Sequence, residues 1–191
     1  IKGVQAVISM PEATPPYAFK PLAGVAVLAS NTWAAMQGVK ALKISWTDNE
    51  NSTFNSAAQK EALTKLTMNK GAVVRSRGDA YAAFEQSEKK VEATYTLPFL
   101  AHATMEPPAA TAVYKNGIYE IWACTQTPQS TQRTVAGFMG VPPEKVKVNV
   151  TLLGGGFGRK SKPDFSVEAA YLAKQTGKPV KVIWRREDDI K

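Results

Sequence analysis

Apolar residues along the chain switch repeatedly between a spacing of two and a spacing near 3.6, and the switching predicts an α+β fold. Residues 3–10 alternate and read as a strand, and Pro11, Pro15, Pro16 and Pro21 then make a stiff loop. Residues 24–29 form a short apolar run, expected as a buried strand. Asn31 or Ser30 can cap a helix over 32–42 whose Trp33, Met36 and Lys40 share a face. A brief strand over 43–46 leads into the polar linker 48–52. Beyond it the pattern predicts a helix over 55–68, a strand over 72–77, a short helix capped by Asp79 and ending near Glu88, and a strand over 91–97. Residues 98–112 fit no single period.

The C-terminal half is more sharply punctuated. Lys115-Asn116-Gly117 separates two β-rich runs, 113–114 and 118–122, and Asn-Gly supplies the positive φ of a tight hairpin turn. Thr127 reads as an N-cap, with Pro128 opening a helix that Gly140 ends near Met139. A strand over 146–153, a helix over 164–175 ended by Gly177, and a closing strand over 179–185 complete the order. The expected division is a small N-terminal portion, 1–50, and a larger one, 51–191.

Between the strand over 146–153 and the helix over 164–175 lies Leu152-Leu153-Gly154-Gly155-Gly156-Phe157-Gly158-Arg159-Lys160. Four glycines in five positions imply positive φ, or an approach closer than a Cβ permits. Successive N–H groups with Arg159 and Lys160 just beyond also make an anion cradle a candidate reading, for phosphate or a nucleotide. Both named phosphate motifs fail on spacing: only three residues separate Gly154 from Gly158, Arg159 separates Gly158 from Lys160, and G-x-G-x-x-G begun at Gly154 needs glycine where Arg159 stands. A glycine-rich bulge with no ligand is the bland alternative. Thr125, Gln126 and Thr127, at a strand end before a helix, are placed to face a ligand or simply to begin the helix. His102 and Glu106 are four apart, but Pro107 and Pro108 oppose a helix through them. Glu106 reads as a loop-pinning hydrogen-bond acceptor, and His102 as a loop or core residue.

Composition narrows the chemistry. At 191 residues, 44% hydrophobic and 21% charged, the chain is globular in character. The net charge of +8 is scattered and reads as a solvated basic surface, with nucleic acid not expected as a partner. One cysteine, Cys124, and one histidine leave no internal disulfide and too few ligands for a protein-built zinc, iron–sulfur or blue-copper site. Any metal is therefore expected inside a cofactor. The start without Met and the end at Asp188-Asp189-Ile190-Lys191 read as an excised piece of something longer.

Four segments carry a family resemblance: the run from Val150 to Arg159, Cys124-Thr125-Gln126-Thr127-Pro128, His102-Ala103-Thr104-Met105-Glu106-Pro107, and the closing Pro179 to Asp188. Together they resemble the molybdopterin-binding large (beta) subunits of the xanthine dehydrogenase and aldehyde oxidase family. The branch they are most similar to contains isoquinoline 1-oxidoreductase and membrane-bound aldehyde dehydrogenases. The resemblance runs over about residues 98–191, and residues 3–48 resemble a shortened form of the hammerhead-like α/β domain that precedes the cofactor-binding domain. It implies a molybdenum–pterin cofactor, molybdopterin or its cytosine dinucleotide form, whose dithiolene holds the metal without Cys or His. Gln126 would donate its amide to an oxygen ligand of the metal. Gly155, Gly156, Phe157, Gly158 and Arg159 would line the cofactor, with Phe157 shielding its centre.

The implied activity of the parent is oxidation of an aldehyde or N-heterocycle with water as oxygen source. The implied partners are an iron–sulfur subunit and a cytochrome, and related large subunits include periplasmic and membrane-associated examples. Two departures follow from the residues present. Purine-hydroxylating members carry a substrate-contacting glutamate where Ser161 stands here, which disfavours a purine substrate. The family's catalytic glutamate has no equivalent before Lys191 and is expected downstream, so the chain alone is expected to be inactive.

Overall fold

Two antiparallel strands and a helix open the chain. In the computed structural model, which describes residues 1–11, 14, 16–48 and 51–190, β1 (Val4–Met10) pairs with β2 (Gly24–Ala29), and α1 (Thr32–Ala41) packs back on them. Asn31 is the cap, its Oδ1 accepting the Ala34 N–H at 2.9 Å. The buried face of α1 differs from the expected one: Ala34 and Gly38 turn inward, while Trp33 is exposed. A Cβ on Gly38 would lie 2.6 Å from Val27 Cγ1 and 3.1 Å from Val4 Cγ2. The smallest side chains therefore set how closely the helix approaches the strands. Residues of β2 are half-buried, not fully buried, because a single helix over a two-stranded sheet covers one face.

Residues 43–98 form a unit of their own. It holds α2 (Ser56–Thr67) and α3 (Ala80–Gln86), capped by Asn55 and Asp79 through their side-chain oxygens. The strands expected over 43–46, 72–77 and 91–97 do not form. Alternation marks a strand only where a neighbouring strand pairs with it, and among the described residues none does; Val74, Val91, Tyr95 and Leu97 stand exposed. Of the expected linker 48–52, residues 49 and 50 lie outside the described residues, as does Pro15 of the proline loop.

The remaining unit joins residues 1–42 with 99–191. Its larger sheet has the order β5-β4-β3-β6, built from β3 (Ala109–Lys115), β4 (Ile118–Ala123), β5 (Val146–Val150) and β6 (Val180–Ile183). The β3–β4 hairpin turns on Asn116 and Gly117, at φ 53° and 77°. Strand β5 runs parallel to β4, so the chain must cross over between them, and α4 (Pro128–Met139) makes that crossing. Helices α4 and α5 (Asp164–Thr176) pack on the sheet and on each other. Ala110 and Ala112 meet α5 alongside Ala169, Ala170 and Ala173, all buried, and these small residues let helix and sheet come close. Phe165, Ile121, Val135 and Val146 fill the space between, each worth about 1.5–3 kcal/mol on burial.

Strand β5 ends at Val150, three residues earlier than expected. The Thr151 N–H still reaches Ala123 O at 3.1 Å, and Leu152 and Leu153 then leave the sheet toward the glycine run. A short helix, α6 (Arg186–Asp189), follows β6 where the sequence pattern shows only a strand to 185. Asp188 starts it by accepting the Arg185 N–H at 2.9 Å.

Candidate functional site

The glycine run meets both expectations placed on it. Gly155 and Gly158 take positive φ, 92° and 97°. Gly154 and Gly156 instead admit side chains: a Cβ on Gly154 would lie 2.6 Å from Glu106 Cβ, and one on Gly156 would collide with Gln126 Oε1 and lie 2.6 Å from its Cδ. The segment 102–106 runs along the turn as a strap, with Glu106 at Gly154, Thr104 at Gly155 and His102 at Gly158. Phe157 completes the turn at φ 50° and is 77% exposed. A bulky residue in the left-handed region costs on the order of 1–3 kcal/mol and persists only where its surroundings over-determine it.

Gln126 is fixed at both ends of its residue. Its backbone N–H donates to Lys160 O at 3.1 Å, and its side-chain Oε1 accepts the Gly158 N–H at 3.1 Å. With the oxygen committed to the turn, the NH2 end of the carboxamide is left as a donor. Among the described residues nothing accepts from it. An exposed donor is thus held beside Phe157 and the turn.

The two cations beyond the turn are committed elsewhere. The Arg159 guanidinium donates to Asp189 Oδ1 at 2.9 Å and to both Asp164 oxygens at 3.2 Å, and lies 4.9 Å above the Trp184 ring. Lys160 is fully buried and its Nζ meets Glu106 Oε2 at 2.5 Å. Neither is available to a phosphate, so the anion-cradle reading loses its charge complement. Glu106 has the loop-pinning role expected of it: the same Oε2 accepts the Gly154 N–H at 2.8 Å, and the Glu106 N–H returns a bond to Gly154 O at 3.2 Å. Burial pushes the Glu106 carboxyl up, but Lys160, the Gly154 N–H and the Cys124 thiol together outweigh it and hold the group below its ordinary value.

With that geometry in hand, residues 63–191 match the model of a family described as the molybdopterin cofactor-binding domain. The chain belongs to that family. Its relatives include the isoquinoline 1-oxidoreductase subunit beta of Brevundimonas diminuta, 30% identical over the whole of this chain and 24% of that protein. The membrane-bound aldehyde dehydrogenase of Gluconacetobacter polyoxogenes, whose name carries pyrroloquinoline-quinone, is 35% identical over 87% of this chain and 22% of its own length. This molybdopterin-domain chain therefore spans about a quarter of the length of these relatives. Its fold is shared with quinoline 2-oxidoreductase from Pseudomonas putida 86, at TM-score 0.69 and 21% identity over 99% of this chain and 28% of that one.

Within this molybdopterin-binding domain, the three polar residues at the end of β4 divide sharply. Only Gln126 reaches the surface beside the turn. Thr125 is buried against Thr131 Oγ1 at 2.9 Å and Lys160 O at 3.2 Å. Thr127 does not cap α4 with its side chain; its hydroxyl donates to Ser161 O at 3.0 Å. Of the three residues expected to face a ligand, Thr125 and Thr127 are turned to bonds within the chain and only Gln126 is exposed. The strap of Thr104 and His102 along the glycines was not legible as site structure, since its contacts come from residues about 50 positions away and no periodicity marks them.

The residues present fit a cofactor that brings its own metal ligands. Among the described residues no group of three or more His, Cys, Asp or Glu could hold an ion. What the turn offers instead is a carboxamide donor and the exposed Phe157, with the space of the missing Cβ atoms taken by Glu106, Thr104, Gln126 and His102.

Proposed function

We propose that this chain is part of the large subunit of a molybdenum hydroxylase and supplies one side of its molybdenum–pterin pocket. The observation that carries the reading is the Gln126 carboxamide, pinned by its oxygen to the Gly158 N–H with its NH2 left to donate, and with Gly156 lacking the Cβ that would displace it. When bound, the cofactor supplies a redox metal able to take two electrons from a substrate carbon. The chain's own residues bind and orient. Gln126 would donate to an oxygen among the metal's ligands, the main chain at Gly155, Gly156 and Gly158 would line the cofactor, and the Phe157 ring would exclude water; the missing Cβ atoms of the glycines make room for Gln126, Thr104 and His102. Preorganised donors of this kind stabilise charge as it develops and need no rearrangement to do so. Arg159 contributes by bracing: its three bonds to Asp164 and Asp189 anchor the end of the turn.

The parent protein then oxidises an aldehyde or N-heterocycle with water as the oxygen source, passing electrons to an iron–sulfur subunit and onward to a cytochrome. Support comes from relatives named for isoquinoline and aldehyde oxidation, one of them itself a subunit. Along the chain we place a hammerhead-like portion at 1–50 and the partial cofactor-binding domain at 51–191, a division within which the matched residues 63–191 fall.

Gln126→Glu tests the reading. The carboxylate still accepts from the Gly158 N–H but has no NH2 to offer. The purified wild-type protein should hold molybdenum and pterin in equal amounts, and the variant should fold normally and hold markedly less of both. Equal loading of the two proteins overturns the assignment of Gln126, and absence of molybdenum from the wild type overturns the function.

A further inference from the structure

Three chain segments meet at the candidate site, and one residue touches all of them. Lys160 has no exposed surface, yet its Nζ is paired with Glu106 of the strap at 2.5 Å. Through the shared Oε2 of Glu106, that ammonium is one bond away from the Gly154 N–H at the start of the glycine run. Its carbonyl oxygen accepts from the Gln126 N–H at 3.1 Å and from Thr125 Oγ1 at 3.2 Å. Side chain and main chain of one residue thus join 104–106, 124–127 and 154–160.

Such a pairing is a poor way to gain stability alone. A buried ammonium pays for desolvation, and Glu106 keeps 40% of its side chain in water, so solvent screens their attraction. An apolar side chain of the same length would fill the space at least as well. Fixing the register of segments that have no sheet or helix to align them is the better-attested use of a buried polar pair. Around Lys160 those segments are a strap, a strand exit and a glycine turn.

Resting on the cofactor-pocket reading above, we propose that Lys160 is a positioning residue which, through Glu106 and through its own carbonyl, locks the Gln126 turn and the glycine run in register. Gln126 meets Gly158 correctly only while the two loops hold their spacing. Lys160 sets that spacing without touching the cofactor.

Amide hydrogen exchange on the full-length chain, produced in a host that makes no pterin cofactor, tests this without relying on activity. Lys160→Met and Glu106→Gln should each speed exchange at the Gly154 and Gln126 amides about tenfold or more, the loss of a charge-assisted bond, while the β3–β4 hairpin amides exchange as before. Val135→Ala, a core truncation that costs stability elsewhere, should leave the Gly154 and Gln126 amides no faster than the hairpin. Made in a pterin-competent host, the two lock variants should carry less molybdenum than Val135→Ala. If Lys160→Met yields no soluble protein, the half-exposed Glu106→Gln decides. Unchanged exchange at Gly154 and Gln126, or an equal rise throughout the hairpin, overturns the proposal. A wild type without molybdenum would instead sink the cofactor reading and leave the exchange result to judge the lock.

Discussion

Gly156→Ala separates site geometry from stability more cleanly than any other single change. The new Cβ would lie 2.6 Å from Gln126 Cδ, so the carboxamide must retreat about 0.8 Å to reach the 3.4 Å of an ordinary contact. The Gly158 N–H···Oε1 bond, already 3.1 Å long, does not survive such a move. Its loss costs about 0.5–1.5 kcal/mol, toward the low end because Gln126 is exposed and both groups regain water. Against that, Gly→Ala at a position without positive φ stabilises by about 0.4–1 kcal/mol through the unfolded chain. The net change in stability should be close to zero, while cofactor loading falls steeply. In a Gln126→Ala background there is no carboxamide to displace, and Gly156→Ala should become stabilising by about 0.4–1 kcal/mol. Denaturant midpoints for the four proteins of this double-mutant cycle, with molybdenum content measured on each, provide the check. Coupling below about 0.3 kcal/mol would refute the claim that Gly156 is glycine for the sake of Gln126.

Phe157→Gly should leave cofactor-free stability unchanged or raise it by up to about 1.5 kcal/mol, because relief of the left-handed backbone, about 1–2 kcal/mol, outweighs or matches the roughly 0.5–1 kcal/mol entropic cost of glycine; a loss above about 2 kcal/mol in chemical denaturation would mean the exposed ring packs in the free protein. Gly117→Ala should cost on the order of 1 kcal/mol by straining the hairpin turn at φ 77°, read as a lowered denaturant midpoint. Glu106 has a folded pKa held below its unfolded one, so its contribution is present above the unfolded value and is lost as pH falls through the folded value. The stability advantage of wild type over Glu106→Gln should therefore shrink on acidification through the carboxylate range, and an advantage that grows there would contradict the Lys160 pairing.

Local chemistry made most of the fold readable. Asn31, Asn55 and Asp79 cap their helices as their residue types demand, Asn116-Gly117 turns the hairpin, and Gly140 and Gly177 end helices in the left-handed region. Reading failed where the answer depended on what lies across from a segment. The alternation at 72–77 and 91–97 has no strand beside it among the described residues. Trp33 looked like the packing residue of α1, yet Gly38 faces Val27 and Val4, and the fit of a helix on strands is not written in hydrophobicity. At the candidate site, the positive φ of Gly155 and Gly158 and the close approaches at Gly154 and Gly156 were legible because glycine clusters have few explanations, whereas Gln126 stood apart from Thr125 and Thr127 only through the family resemblance. Lys160 was not: beside Arg159 it reads as half of an anion cradle, and only Glu106, 54 residues earlier, explains its burial.

The central claim is a place: a metal held by its own cofactor, beside the Gln126 carboxamide and the Phe157 turn. Crystals of the full-length protein as purified, with diffraction collected at the molybdenum absorption edge, locate that metal independently of any assay. The account predicts one anomalous peak per chain facing Gln126 Nε2 across the Gly155–Gly158 turn. A peak on another face of the domain, or none in protein shown to contain molybdenum, would contradict it.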